Sequence, residues 1–259
     1  MGWLKIVWSM LALSLPVTSP ASEVPAPAVG DPRLISRLDL GQPIAQVVVA
    51  RDGRTAVVWM RAIGDKPAGL RVVDISMLEH PQARGFLPVT QDGLNSLSTD
   101  GQRLLLHFAP RDARPYRLGD HQVVAYALGD GSQIKELWRQ AVQAEGIALA
   151  PDASGYAALV RAPSGLQIVV QQAAAGRPEA WVDQGNGTSV LGSFSPNGLY
   201  LPVHGNGGKL RVVDLGLSPP RVLEQGGEHT SVPLYRWPWV LDNGLILSMS
   251  ALWPRLEVI

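Results

Sequence analysis

Apolar residues along most of this chain fall in short runs bounded by turn-forming residues, and no stretch keeps the three-to-four-residue spacing of a long amphipathic helix. The turns recur. Asp52-Gly53, Asp100-Gly101, Asp152 to Gly155, Asn197-Gly198 and Asn243-Gly244 lie roughly 45 to 52 residues apart. A short apolar or small-residue segment stands on each side of every one. Asp-Gly and Asn-Gly suit the positive φ angles of a type I′ hairpin, so each turn marks two antiparallel strands. Residues 140–148 are the one stretch with helical character, and they read as a loop.

A third strand follows in every copy: residues 70–74 (LRVVD), 122–126 (QVVAY), 166–170 (LQIVV), 210–214 (LRVVD) and 256–259 (LEVI). The first and fourth are identical. A fourth strand is expected at residues 84–89, 134–138, 179–183 and 221–224, and the fifth copy ends before one. Residues 33–40 (RLISRLDL) have the length and alternation to supply it by pairing with 256–259, which would remove an exposed strand edge. Four strands per repeat at this period predict an all-β chain, a single β-propeller of about five four-stranded blades. The apolar middle strands agree, because a blade buries both of its faces.

The turns also carry a family resemblance. Residues 195–198 (SPNG), 98–101 (STDG) and 150–152 (APD) resemble the S-P-D-G turn of TolB-like and YVTN or WD40-like bacterial propellers. Residues 70–76 with 81–87 are similar to the LVIVD-type repeat. The likeness spans residues 33–259 at repeat level, and it implies a fold rather than an activity.

The first residues differ in character. Lys5 precedes an apolar run at 6–17, too short to span a bilayer, and Ser19-Pro20-Ala21 offers the small residues of a cleavage site. Residues 1–21 therefore read as an export signal, and 22–32 (SEVPAPAVGDP) as a Pro/Ala linker before a propeller domain at 33–259. These features predict a periplasmic or secreted protein with no membrane span after cleavage. The chain has no cysteine, which excludes disulfides, thiolate metal sites and covalent haem. Lys plus Arg equals Asp plus Glu, so no net field draws nucleic acid or anionic lipid.

Binding chemistry concentrates in the loops from second to third strand and from fourth to first. Residues 108–120 carry Arg111, Arg114, Tyr116 and Arg117, donors and an aromatic suited to a carboxylate, a phosphate or an acidic peptide. The competing reading is a solvated hairpin whose arginines meet Asp112 and Asp120. Arg61, His204 and His229 lie at the corresponding loop face of other copies, and Arg236 opens a first strand near the channel. The five histidines show no metal-ligand spacing, and His107, in an apolar strand, reads as a satisfied core residue. The glycine-rich stretches at 185–187 and 205–209 lie between strands, where they serve as turns rather than phosphate cradles. No nucleophile elbow is present, and the first strands offer only Glu145 and Asp92 as channel carboxylates, beside Gln46, Ser189 and Arg236. The sequence thus points to a non-catalytic module without metal or cofactor that binds an envelope or periplasmic protein. The alternatives are a hydrolase or lyase at the channel mouth, using Glu145, His204, His229 and Arg236, or an accessory subunit of a periplasmic redox enzyme.

Overall fold

The computed structural model describes residues 35–89, 93–109, 119–129, 133–163, 165–172, 178–183, 190–204, 210–217, 220–224, 239–242, 246–249 and 256–258. Among them there is no helix. The first sheet holds β1 (Ile44–Val49), β2 (Thr55–Met60), β3 (Gly69–Asp74) and β4 (Gln82–Pro88). The second holds β5 (Leu94–Thr99), β6 (Arg103–Phe108), β7 (Gly119–Ala127) and β8 (Lys135–Ala144). In the third are β9 (Gly146–Leu149), β10 (Gly155–Ala162), β11 (Gly165–Gln172) and β12 (Pro178–Asp183). The fourth has β13 (Val190–Leu191), β14 (Tyr200–His204), β15 (Leu210–Asp214) and β16 (Arg221–Glu224). A last sheet, three-stranded among the described residues, has β17 (Trp239–Val240), β18 (Ile246–Met249) and β19 (Leu256–Val258). Every sheet is antiparallel with strands in chain order, as the repeat predicts.

Alternation along the middle strands assigns each residue to one of two buried faces. On β2, Val57 and Trp59 point toward the second sheet, where they join Leu70 and Val72 against Leu104, Leu106 and Val124. Ala56, Val58 and Met60 point the other way. The same division repeats down the chain. On β10, Ala157 and Leu159 pack with Leu201, Val203 and Val213 of the fourth sheet, while Tyr156 and Ala158 face Val123 and Ala144 of the second. Val212 and Val240 join the fourth sheet to the last. The first strands approach one another in series, β1 to β5, β5 to β9 and β9 to β13, so they stand on the inner side of the stack. The fourth strands form its outer edge. There β8 carries exposed Lys135, Glu136 and Arg139, with a 2.8 Å ion pair between the last two, charges that discourage pairing with another chain.

The recurring turns are built differently from a type I′ hairpin. Only the second residue has positive φ: Gly53 (66°), Gly101 (94°), Gly198 (77°) and, in the third copy, Ala153 (52°). The preceding Asp or Asn supplies the remaining order through its side chain. Asp52 Oδ1 accepts from the backbone N–H of Arg54 at 2.8 Å, Asp100 Oδ1 from Gln102 at 2.8 Å, Asp152 Oδ1 from Ser154 at 3.0 Å, and Asn197 Oδ1 from Leu199 at 2.9 Å. These are Asx-turns in longer loops, in which a side-chain carbonyl mimics the backbone.

Two segments depart from expectation. Residues 140–148 are strand rather than loop: β8 runs to Ala144 and β9 follows after Glu145. Alternate residues of β8 are exposed, and its inward Trp138 and Val142 pack on the third sheet. Residues 35–40 form no strand, and among the described residues no ladder joins them to β19. Leu38 and Leu40 instead sink onto the outer face of the first sheet beside Ala56, Val58 and Met60. Side-chain bonds hold the segment there. Asp39 Oδ1 accepts from the Gly41 N–H at 2.7 Å, and Gln42 Nε2 donates to the carbonyls of Arg61 and Pro67 at 3.1 and 3.0 Å.

Two-sided burial sets the cost of truncation. Leu106 is wholly buried between the first and second sheets, whereas Leu137 of β8 is 50% exposed. Leu106→Ala should lower unfolding free energy by about 2–5 kcal/mol, and Leu137→Ala by under about 0.5 kcal/mol. Urea denaturation checks this, and equal losses would contradict the assigned faces.

Candidate functional site

The loop from β2 to β3 is the best-defined element at the end of the sheets expected to bind. Ile63 and Lys66 bond each other through both backbone pairs at 3.1 Å. Arg61 N–H donates to the Pro43 carbonyl at 2.9 Å, and Lys66 Nζ donates to the Gly41 carbonyl at 3.2 Å. The loop is therefore pinned to the segment before β1, and it presents exposed Arg61 and Ile63. His204 closes β14 at the equivalent position of the fourth sheet, where it pairs with Val190 and Leu210. Arg111, Arg114, Tyr116, Arg117, His229 and Arg236 lie outside the described residues.

At the corresponding end of the third sheet, Arg161 is the penultimate residue of β10. Its guanidinium bonds Glu145, the residue that separates β8 from β9. The Glu145 side chain is 1% exposed and that of Arg161 55%. Glu145 Oε2 is buried with no partner among the described residues. An added Cβ at the following Gly146 would meet open space. Glu145 thus pairs with Arg161 just before β9, the first strand of the third sheet. Of the other residues in the channel-mouth reading, His229 and Arg236 lie outside the described residues.

Between the second and third sheets lies a polar network that spacing did not reveal. His107 is 2% exposed and His121 5%. His107 Nε2 lies 2.9 Å from His121 Nδ1, and His107 Nδ1 lies 3.3 Å from Ser96 Oγ. His121 also bonds the backbone of Ala144. One tautomer assignment satisfies the whole string: Ser96 donates to His107, His107 to His121, and His121 to the Ala144 carbonyl. Burial, with His121 adding to it, pushes His107 down to about 3, and burial lowers His121 as well. Both rings are neutral in the folded chain. Farther along, Gln140 and Gln171 exchange amide hydrogen bonds at 3.1 and 2.6 Å, and Tyr156 O–H donates to Gln171 Oε1 at 2.7 Å. His107 is the satisfied core residue that was expected. Its partner could have been found from the hairpin register, since His107 opposes Val123 and so lies diagonal to His121.

At the other end of the sheets, a cleft of about 280 Å³ opens between the first two, lined by Asp52, Arg54, Thr55, Asp74, Arg84 and Gly101 among others. Hydrogen bonds from the side chain and backbone of Ser76 hold the Asp74 carboxyl below its ordinary range, and Arg84 pairs with it. Asp74 and Arg84 thus satisfy each other.

No family model matches the chain, and no curated protein matches it. Similar solved structures exist. A functionally unknown protein from Desulfotomaculum acetoxidans DSM 771 superposes with a TM-score of 0.53 at 13% identity, over 88% of this chain and 72% of that one. TolB from Acinetobacter baumannii gives 0.49 at 16% identity over 84% of this chain, which spans about half (54%) of the TolB chain. Kuenenia stuttgartiensis hydrazine synthase gives 0.48 at 14% identity, over 82% and 70% of the two chains. At these identities the likeness is one of fold.

The Glu145–Arg161 pair has a measurable consequence. Arg161→Ala would leave a buried carboxylate with neither oxygen paired, at a cost of about 1–3 kcal/mol, toward the low end because Arg161 is half exposed. Adding Glu145→Gln should recover part of that loss. Chemical denaturation of the single and double variants checks both, and a neutral Arg161→Ala would mean the pair carries no weight.

Proposed function

We propose that this chain is an exported, non-catalytic propeller module that presents its second-to-third-strand loops to a protein partner in the cell envelope. The observation that carries this reading is the β2–β3 loop. It is fastened by backbone and side-chain bonds at both ends, yet leaves Arg61 and Ile63 exposed. A loop ordered before binding loses little freedom on docking, which favours recognition. The corresponding loop of the second repeat adds Arg111, Arg114, Tyr116 and Arg117 in sequence, so the partner surface that fits is acidic. The five sheets close into a ring in this reading, with residues 33–40 filling the space between the first and last. Export follows from the apolar run at 6–17 and the small residues before Ser22.

The test uses native protein recovered from the envelope fraction, whose first residue should be Ser22. After mild cross-linking, a defined partner should be captured by the unaltered chain. Capture should fall at least tenfold for the variant carrying Arg61, Arg111, Arg114 and Arg117 as Ala, corresponding to about 1.4 kcal/mol or more of lost charge-assisted bonding. Exposed charges contribute little to folding, so the melting temperature should stay nearly constant. Equal capture by the variant would contradict the loop as the recognition surface, and an intact residue 1–21 segment would contradict export.

A further inference from the structure

The seams between sheets are not alike. Leu70, Leu94, Leu97, Leu104 and Leu106 fill the one between the first and second sheets, and Leu159, Leu166, Ile168, Leu191 and Leu201 fill the one between the third and fourth. The buried centre of the seam between the second and third is lined instead by Ala125, Ala144, Ala153 and Ala158, with Val123, Leu105 and Tyr156, and its larger apolar residues, Trp138, Val142, Ile147, Leu149 and Val160, are only partly buried. It also holds the His107–His121 string and the Gln140–Gln171–Tyr156 network. Small side chains and polar groups gain less from burial than leucines do. We propose that the first four sheets form two leucine-cored pairs joined at an acid-sensitive seam, and that mild acid loosens this seam before either pair unfolds.

The direction follows from what surrounds the histidines. On β5 they meet Asn95 and Ser96, which are neutral. On β7, Asp120 lies beside His121, exposed and hydrogen-bonded by Gln143. At the β8–β9 junction they meet the Ala144 backbone, followed by Glu145, which Arg161 of β10 already pairs. Tyr156 of β10, pushed up to about 12 by burial, stays neutral. The closed seam therefore takes up no proton on His107 until pH approaches about 3, whereas an opened one binds it near the ordinary value of 6.5. Stability of the seam is complete above the ordinary value and falls as pH drops toward 3. For His107 alone, the opening equilibrium at pH 5 should exceed that at pH 8 roughly 30-fold.

The chain has no cysteine, so single thiols report opening without background. Ala157 and Ala158 are adjacent on β10 and buried on opposite faces, toward the fourth and second sheets respectively. Labelling of Ala158→Cys and Ala157→Cys by a methanethiosulfonate reagent, expressed as their rate ratio, cancels the pH dependence of thiol reactivity. The ratio should rise roughly 30-fold from pH 8 to pH 5. It should rise less in a His107→Gln background. The pair Ala125→Cys and Val124→Cys on β7, the first in this seam and the second in the seam between the first and second sheets, repeats the test should the first pair fold poorly. A flat ratio, equal acceleration at both faces, or an unaltered response in His107→Gln overturns the proposal.

Discussion

The second and third strands of the first four sheets carry buried residues on both faces, so none of these sheets has a core of its own and each is held by its neighbours. Val57 and Val58 of β2 are 0% and 3% exposed although they point in opposite directions. The same holds for Leu201 and Val203 on one face of the fourth sheet and Val212 on the other. A four-stranded sheet with two apolar faces gains little as an isolated unit, because half its apolar area would stay wet. Stacking is the condition for these strands, and the turns serve to keep each repeat in register for it.

That constraint explains where the chain places its polar residues. Backbone groups at the turns are satisfied by Asp or Asn side chains, so the strand ends need no further partner. Ser195 Oγ donates to Asn197 Oδ1 at 2.6 Å and accepts from Tyr200 N–H at 2.9 Å, binding the fourth turn to its own strand. Asn197 in turn reaches the fifth repeat, its N–H donating to Asp242 Oδ1 at 2.6 Å. Polar groups inside the stack are confined largely to one seam, where each must find a partner across or along the sheets. Such groups specify how two sheets sit, and they make that contact responsive to protons in a way that leucines are not.

Strand positions were legible in the sequence because both of their signals are local. Apolar runs mark the strands, and Asp-Gly or Asn-Gly marks the turns between them. The third copy shows where a local signal thins: Ala153 takes the positive φ that glycine adopts elsewhere, and its methyl is buried beside Leu105 and Ala125. Residues 33–40 alternate as a strand would, but alternation does not say whether Leu38 and Leu40 belong to a ladder or to a face. Tertiary packing chose the face. The His107–His121 pair escaped notice because the two residues lie in different strands, and only the register of β6 against β7 brings their rings together. Glu145 was recognisable as a carboxylate at an inner strand, whereas its partner Arg161 depends on the length of the β10–β11 hairpin.

Mutual dependence of neighbouring sheets is tested most directly by a double-mutant cycle across one seam. Leu159 of the third sheet and Leu201 of the fourth are both wholly buried in the same cluster. Truncating each to alanine, singly and together, should give losses that deviate from additivity by about 0.5–3 kcal/mol. Leu159 paired with Leu106, which lies in a different seam, should be additive to within about 0.5 kcal/mol. Additivity in the Leu159–Leu201 cycle would contradict the account, since it would mean the sheets are stable without each other.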